Sequence, residues 1–298
     1  MLKYRLLLVL TAAIWGFAFV AQVVAMNDIG PFTFSAARSF IGAISLLPIL
    51  LLKHSDPPPK KTNLPRWLAI AIAGFFLCSG TLLQQIGLLY TTASKASFIT
   101  ATYILMVPVF GIFLGKALCR NHAVGALLAM TGVYFLSVTE AFHIETGDIL
   151  VFLCAICFSM HILYLDYASQ RYAPIQIAAG QFFVCGLISL TGALALESIH
   201  PEALLAAWWP ILYTGLFSTG VAYTFQIVGQ KYLPPTECSM ILSLEMVFGG
   251  LSGFLFLNEA MSSRELIGVC CMIIGVFWSQ LPSPVLFQIR PFFSFRSH

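Results

Sequence analysis

The chain has 298 residues, of which 59% are hydrophobic and 9% charged, with a formal net charge of +3 and a mean hydropathy of +0.90. A soluble domain carries about 25% charged residues, so soluble enzymes and soluble binding modules are excluded, and no basic run suited to nucleic acid occurs. Most of this length must sit in lipid.

Apolar runs that cross or nearly cross the ~30 Å hydrocarbon core as helices fall at about residues 6–25, 31–52, 66–90, 96–115, 121–139, 147–168, 174–197, 208–230, 236–257 and 264–281. The first follows Lys3 and Arg5 and could imitate a signal peptide. Its apolar region outruns the usual 7–15 residues and further runs follow, so cleavage is not expected. Thr11, Trp15, Ala18 and Gln22 share one face of it. In the second run Arg38 shares a face with Ser35, Gly42 and Ser45. It is suited to an anionic group or to snorkelling outward. The segment KHSDPPPKKTNLPR then ends the helix pattern, being polar and Pro-rich.

The third run aligns Gly80, Gln84 and Gly87, and the fourth carries Tyr103 as a candidate aromatic wall. The sixth holds a CxxC, Cys154 and Cys157, read as small-residue packing rather than a redox or zinc pair. It also holds His161 beside Tyr164, which could titrate near neutral pH. The eighth aligns Thr219, Tyr223, Gln226 and Gln230 on one stripe. The ninth carries one charge, Glu245, with Gly249 and Gly253 on its face as a GxxxG that lets another helix approach. A charge inside such a span costs on the order of 3 kcal/mol on insertion scales, so Glu245 must face protein or a polar cavity. A transport role and a scaffold role both fit it. Glu259 is read as a helix-end contact.

With the N-terminus inside, twelve Lys and Arg residues fall on cytoplasmic segments: Lys3, Arg5, Lys53, Lys60, Lys61, Arg66, Lys116, Arg120, Arg171, Lys231, Arg290 and Arg296. Only Lys95 and Arg264 fall outside. The positive-inside rule then places both termini in the cytoplasm. The chain also repeats itself. A shift of 143 residues superimposes Pro31 on Pro174, Phe40 on Phe183, Gly125 on Gly268 and Gly132 on Gly275, and a shift of 142 places Tyr90 on Tyr232. Each half has five spans, an odd number, so the halves must be inverted. The predicted fold is an all-α integral membrane protein of ten transmembrane helices. It divides into two inverted five-helix repeats, residues 1–140 and 141–282, and a cytoplasmic tail, residues 283–298. Inverted repeats mark secondary transporters, whose site lies at the repeat interface near the midplane.

The stretches AIWGFAFVAQ, IGPFTFSAARSF, LLQQIGLLYTTASKASFITATYILMVPVFG, GALLAMTGVYFL and AYTFQIVGQKYLPPTECSMILSLEMVFGGLSGFLFLNEAMSSRELIGVCCMIIGVF resemble the EamA-type branch of the drug/metabolite transporter superfamily, over nearly the whole chain. Met246 stands where that family usually has Pro, and Asn258 where it has Gly. The resemblance implies a ten-helix carrier of small metabolites or drugs in the cytoplasmic (inner) membrane, often an exporter. An amino acid or similar small polar or amphipathic compound is the expected substrate. A drug or organic-cation efflux carrier is the alternative, and a channel or membrane-embedded enzyme lies behind both. Motifs for metalloprotease, serine-hydrolase and P-loop chemistry are absent, so neither an enzyme nor a cofactor is expected. The expected substrate-binding residues are Trp15, Gln22, Arg38, Gln84, Tyr103, His161, Tyr223, Gln226 and Glu245. The expected partners are the substrate, the lipid bilayer and protons as coupling ion, with the chain a monomer or homodimer.

Overall fold

A computed structural model of the chain describes residues 1–52, 62–91, 96, 99–137, 145–257, 262–282 and 284–287. Asn258, Glu259, Lys53, Lys60, Lys61, Lys95, Arg290 and Arg296, all named above, lie outside the described residues. Among the described residues the chain is all-α apart from one two-stranded ribbon. That is the expected response of an apolar chain to lipid, where each backbone N–H and C=O must find a partner within the protein.

In chain order the helices are α1 (Leu2–Ala25), α2 (Pro31–Leu52), α3 (Arg66–Gly87), α4 (Tyr103–Phe113), α5 (Arg120–Ser137), α6 (Thr146–Ser169), α7 (Pro174–Leu196), α8 (Pro201–Ala206), α9 (Trp208–Gln230), α10 (Pro235–Leu242), α11 (Glu245–Leu257) and α12 (Ser263–Ser279). Pro174, Pro201 and Pro235 open their helices, at a position where the missing N–H costs nothing. Among the described residues six helices, α1, α2, α3, α6, α7 and α9, are long and apolar enough to cross a membrane. The runs expected at 96–115, 236–257 and 264–281 form shorter pieces. The first two are broken midway.

The interior is built from small residues such as Ala12, Ala69, Ala73, Ala129 and Ala168, while Leu47, Phe75, Leu127, Ile274 and Phe277 point outward. Lipid tails are as apolar as leucine, so helices associate by close backbone approach rather than by burying large side chains. The tightest example is α5 against α12. A Cβ at Gly125 would stand 2.6 Å from the Gly275 carbonyl oxygen, and one at Gly132 would stand 2.5 Å from that of Gly268. These two contacts exchange with each other under the 143-residue shift. The other packing pairs behave alike: α2 lies on α7, α1 on α9 and α11, and α6 on α3 and α4.

Two features go beyond the sequence reading. The residues before α5 pair with the start of the tail. Leu118–Cys119 (β1) pairs antiparallel with Val285–Phe287 (β2), closing the end of the α5–α12 pair. And α9 is not a plain α-helix, because its middle, Thr214–Tyr223, is a π-helix. Thr214 donates its hydroxyl to the Pro210 carbonyl at 2.7 Å, and Thr224 donates to that of Gly220 at 2.6 Å. A hydroxyl on the i−4 carbonyl competes with the amide for that acceptor and bends the helix. The π-turn, in which the amide reaches one residue further back, lies between these two.

Candidate functional site

Between α10 and α11 the chain turns at Ser243 and Leu244. The Leu244 amide donates to Ile241 and the Met246 amide to Ser243, both at 3.1 Å, so the α-ladder tightens here into three-residue steps. The Ser243 hydroxyl takes the Met240 carbonyl at 2.7 Å. The break thus forms without the proline that Met246 replaces. In the first half Thr102 does the same work. Its hydroxyl and its amide both reach the Ile99 carbonyl, at 2.6 and 3.1 Å, and α4 starts at the next residue. The residues that open the two second segments are Tyr103 and Glu245, which are 142 positions apart. They meet: the Tyr103 hydroxyl donates to Glu245 Oε1 at 3.2 Å. Glu245 also sits in the first turn of α11, where the positive end of a helix favours a carboxylate.

These two half-helix starts border a cavity enclosed by α1, α2, α3, α4, α6, α9 and the α10–α11 break. All nine residues singled out from the sequence line it: Trp15, Gln22, Arg38, Gln84, Tyr103, His161, Tyr223, Gln226 and Glu245. Its free volume is about 50 Å³. One water needs about 10–15 Å³ on that measure, whereas small-molecule sites run to about 300–1,000 Å³. The cavity therefore holds a few waters and must widen to take a substrate. Three glutamines among its walls are long and unbranched, and their side chains can swing aside without a backbone shift.

The cavity carries one cation and one anion, 6% and 7% exposed, and they do not pair with each other. Arg38 Nη1 donates to Gln22 Oε1 at 3.3 Å, and its guanidinium lies 5.6 Å from the Phe34 ring centre. Among the described residues nothing bonds Gln226 Oε1, which is buried. An unmade hydrogen bond of this kind costs about 1–3 kcal/mol, which a donor on a ligand would remove. His161 Nε2 lies 3.0 Å from Gln181 Oε1, so its role is held by a neighbour outside the cavity. Gln84 donates to Thr100 at 3.2 Å. The aromatic wall is one assembly: Trp15 and Tyr223 are 4.6 Å apart, and Trp15 Nε1 is anchored on the Ser218 carbonyl at 3.1 Å.

The polar stripe of α9 is only partly as expected. Residues five apart come into register in a π-turn, so Ser218, not Thr219, joins Tyr223 on the cavity wall. Thr219 turns to α2, where its methyl fills the space a Cβ on Gly42 would need. Gln230 donates to the Ile162 carbonyl at 2.9 Å, and Thr11 donates to that of Ala222 at 3.1 Å. Gly80 and Gly87 serve contacts with α6. Thr100 and Phe158 also line the cavity, and the sequence reading missed them. Nothing in their local pattern separates them from packing residues.

At the end predicted to face the cytoplasm, two ion pairs among the described residues join the halves of the chain. Arg5 Nε lies 2.7 Å from Glu237 Oε1, and Lys116 pairs with Asp166. At the opposite end the Glu197 carboxylate, at the close of α7, accepts from the Phe32 and Thr33 amides at 2.8 Å and from the Thr33 hydroxyl at 2.6 Å. It caps α2 from the second half of the chain. The cavity is thus bridged above and below by contacts between the halves.

The profile of the EamA-like transporter family matches the chain twice, at residues 2–138 and 145–280. An uncharacterized transporter of Archaeoglobus fulgidus is 32% identical over 273 residues, covering 90% of this chain and 83% of that protein. The WAT1-related protein At3g02690, chloroplastic, of Arabidopsis thaliana is 26% identical and covers 90% of this chain and 67% of its own length. The threonine/homoserine exporter RhtA of Salmonella typhimurium is 26% identical over 163 residues, 52% of this chain and 53% of that one. A solved crystal structure superposes with a TM-score of 0.78 at 18% identity, covering 93% of this chain and 96% of the other, which establishes a shared fold.

Proposed function

The chain belongs to the EamA-like transporter family, and from that premise we propose that it carries a small zwitterion, such as an amino acid, out across the cytoplasmic membrane by alternating access. That it is a membrane transporter, and not an enzyme, follows from the family. The observation that carries the rest is that Arg38 and Glu245 share one buried cavity with no ion pair between them. A carboxylate on Arg38 and an ammonium on Glu245 would neutralise both charges, and Gln226 Oε1 would accept from the same ammonium. The relative named as a threonine/homoserine exporter supports both the class and the direction.

In this reading the chain has ten spans in two inverted repeats with both termini cytoplasmic. The exchangeable glycine contacts of α5 and α12 support the two-fold relation. One half rocks against the other about the cavity. Arg5–Glu237 and Lys116–Asp166 part when it opens inward, and the Glu197 cap parts when it opens outward. Glu245 is the candidate for exchanging a coupling proton. A drug or organic-cation efflux carrier is the second reading, favoured by the Trp15–Tyr223 wall. Arg38 opposes it, since a cation gains nothing beside a buried guanidinium.

Counterflow in proteoliposomes tests the proposal. Vesicles preloaded with unlabelled amino acid should accumulate labelled amino acid saturably. Gln226→Trp, which fills a cavity of this size, is expected to lower that uptake at least tenfold. Val228→Trp, on the same helix but outside the cavity lining, is expected to stay within about twofold. Equal loss in both variants would reduce the polar stripe to a helix contact, and non-saturating flux would mean a channel.

A further inference from the structure

A second concavity lies on the outer surface of the bundle. It is a cleft of about 600 Å³ between α2, α3 and α7, far larger than the central cavity. Its floor is made by small residues, Ala43 of α2 and Ala179 of α7, where the two helices cross. Its deep end is closed by Phe40 and Phe183, whose rings stand edge-on at 6.1 Å. Its mouth is polar. Arg66, the first residue of α3, is exposed, and its Nη1 reaches Gln176 Oε1 in the first turn of α7 at 3.3 Å.

We propose that this cleft binds one anionic phospholipid of the cytoplasmic leaflet, with its phosphate on Arg66 and an acyl chain along the α2–α7 crossing. The dimensions agree. Phe40 to Leu50 is eleven residues of α2 and ten helical rises, about 15 Å at 1.5 Å per residue, or one leaflet of a ~30 Å core. The charge agrees too. Any acyl chain would fill the apolar floor, but a head group of net negative charge answers an arginine set at the bilayer edge better than a zwitterionic one, whose ammonium offsets its phosphate. Of the five guanidinium donors, one is committed to Gln176, and the start of α7 adds its positive end at the same place. The floor belongs to both halves of the chain, so a lipid seated there contacts both sides of any rocking movement. The leaflet assignment rests on the orientation proposed above, whereas the site itself does not.

The test uses the full chain purified in detergent, with dioleoylphosphatidylglycerol and dioleoylphosphatidylcholine as probes, read by native mass spectrometry and thermal unfolding. Neither readout depends on transport, so its failure leaves the carrier reading intact, and failed counterflow leaves the lipid site intact. One phosphatidylglycerol should be retained per chain and should raise the unfolding temperature, while phosphatidylcholine should do neither. Arg66→Gln should weaken phosphatidylglycerol retention about tenfold, the loss of one charge-assisted bond. Arg120→Gln removes the same charge at the same end of the bundle, away from the cleft, and should bind as the unchanged protein does. Equal retention of the two lipids, equal loss in both variants, or a protein dimer that excludes lipid from the cleft would overturn the proposal.

Discussion

Glu245→Gln is expected to lower transport about 10- to 100-fold while the protein folds and inserts normally. Glutamine keeps the shape and can still accept the Tyr103 hydroxyl, now 3.2 Å from the carboxylate, so the helix contact survives. What disappears is the charge. A hydrogen bond to a charged group contributes about 1.5–3 kcal/mol, and each 1.4 kcal/mol is about a factor of ten in affinity. A charge within a span is itself costly, about 2.5–3.5 kcal/mol on insertion scales, so the variant should be no less stable, which its unfolding temperature checks. A scaffold carboxylate would give the opposite pair of results, with unfolding at lower temperature and transport largely kept.

The second large effect is expected at Gly16. A Cβ there would stand 2.5 Å from Phe248 Cβ, 2.7 Å from the Glu245 carbonyl oxygen and 2.7 Å from the Gly249 nitrogen. Two of these are backbone atoms of α11, which no rotamer change can move. Gly16→Ala must therefore push α1 away from the start of α11. Overpacking of this kind costs about 1–3 kcal/mol, and here it also displaces Trp15 and Ala18 from the cavity wall. The expected result is a lower unfolding temperature together with lost transport. Gly249→Ala is the contrast, because the nearest atom to its Cβ would be 3.9 Å away, an ordinary contact. Comparable destabilisation in the two variants would mean that α1 and α11 do not meet as described.

The sequence announced the cavity through the cost of its residues. Arg38, Glu245 and the glutamines at 22, 84 and 226 are expensive in lipid, and a chain that keeps them in apolar runs must turn them inward. That argument locates residues without needing the fold. It does not see how the helices are cut. The runs at 96–115 and 236–257 read as continuous because the breaks are made by Thr102 and Ser243, ordinary hydroxyl residues, with neither Gly nor Pro as a signal. The π-turn of α9 was hidden for the same reason. Periodicity counted at an α-helical pitch put Thr219 on the cavity stripe, and the wider turn replaced it with Ser218. Thr100 and Phe158 were silent, since a threonine or a phenylalanine in a membrane helix is compatible with any neighbour. The pairing of Tyr103 with Glu245 combines both lessons. The offset of 142 to 143 residues between the two halves was readable, but contact between Tyr103 and Glu245 required the breaks that bring them to the same level.

The account stands on the claim that the cavity opens alternately to each side of the membrane. Cysteine placed at Gln226, in a background with the part-exposed or exposed Cys119, Cys157, Cys270 and Cys271 replaced by serine, tests it with a membrane-impermeant thiol reagent added to either side of oriented vesicles. The expected result is modification from both sides, slowed from both by the amino acid proposed as substrate. A thiol that reacts from neither side in a protein that folds and inserts would make the cavity a dry helix contact, and the proposed mechanism would fail.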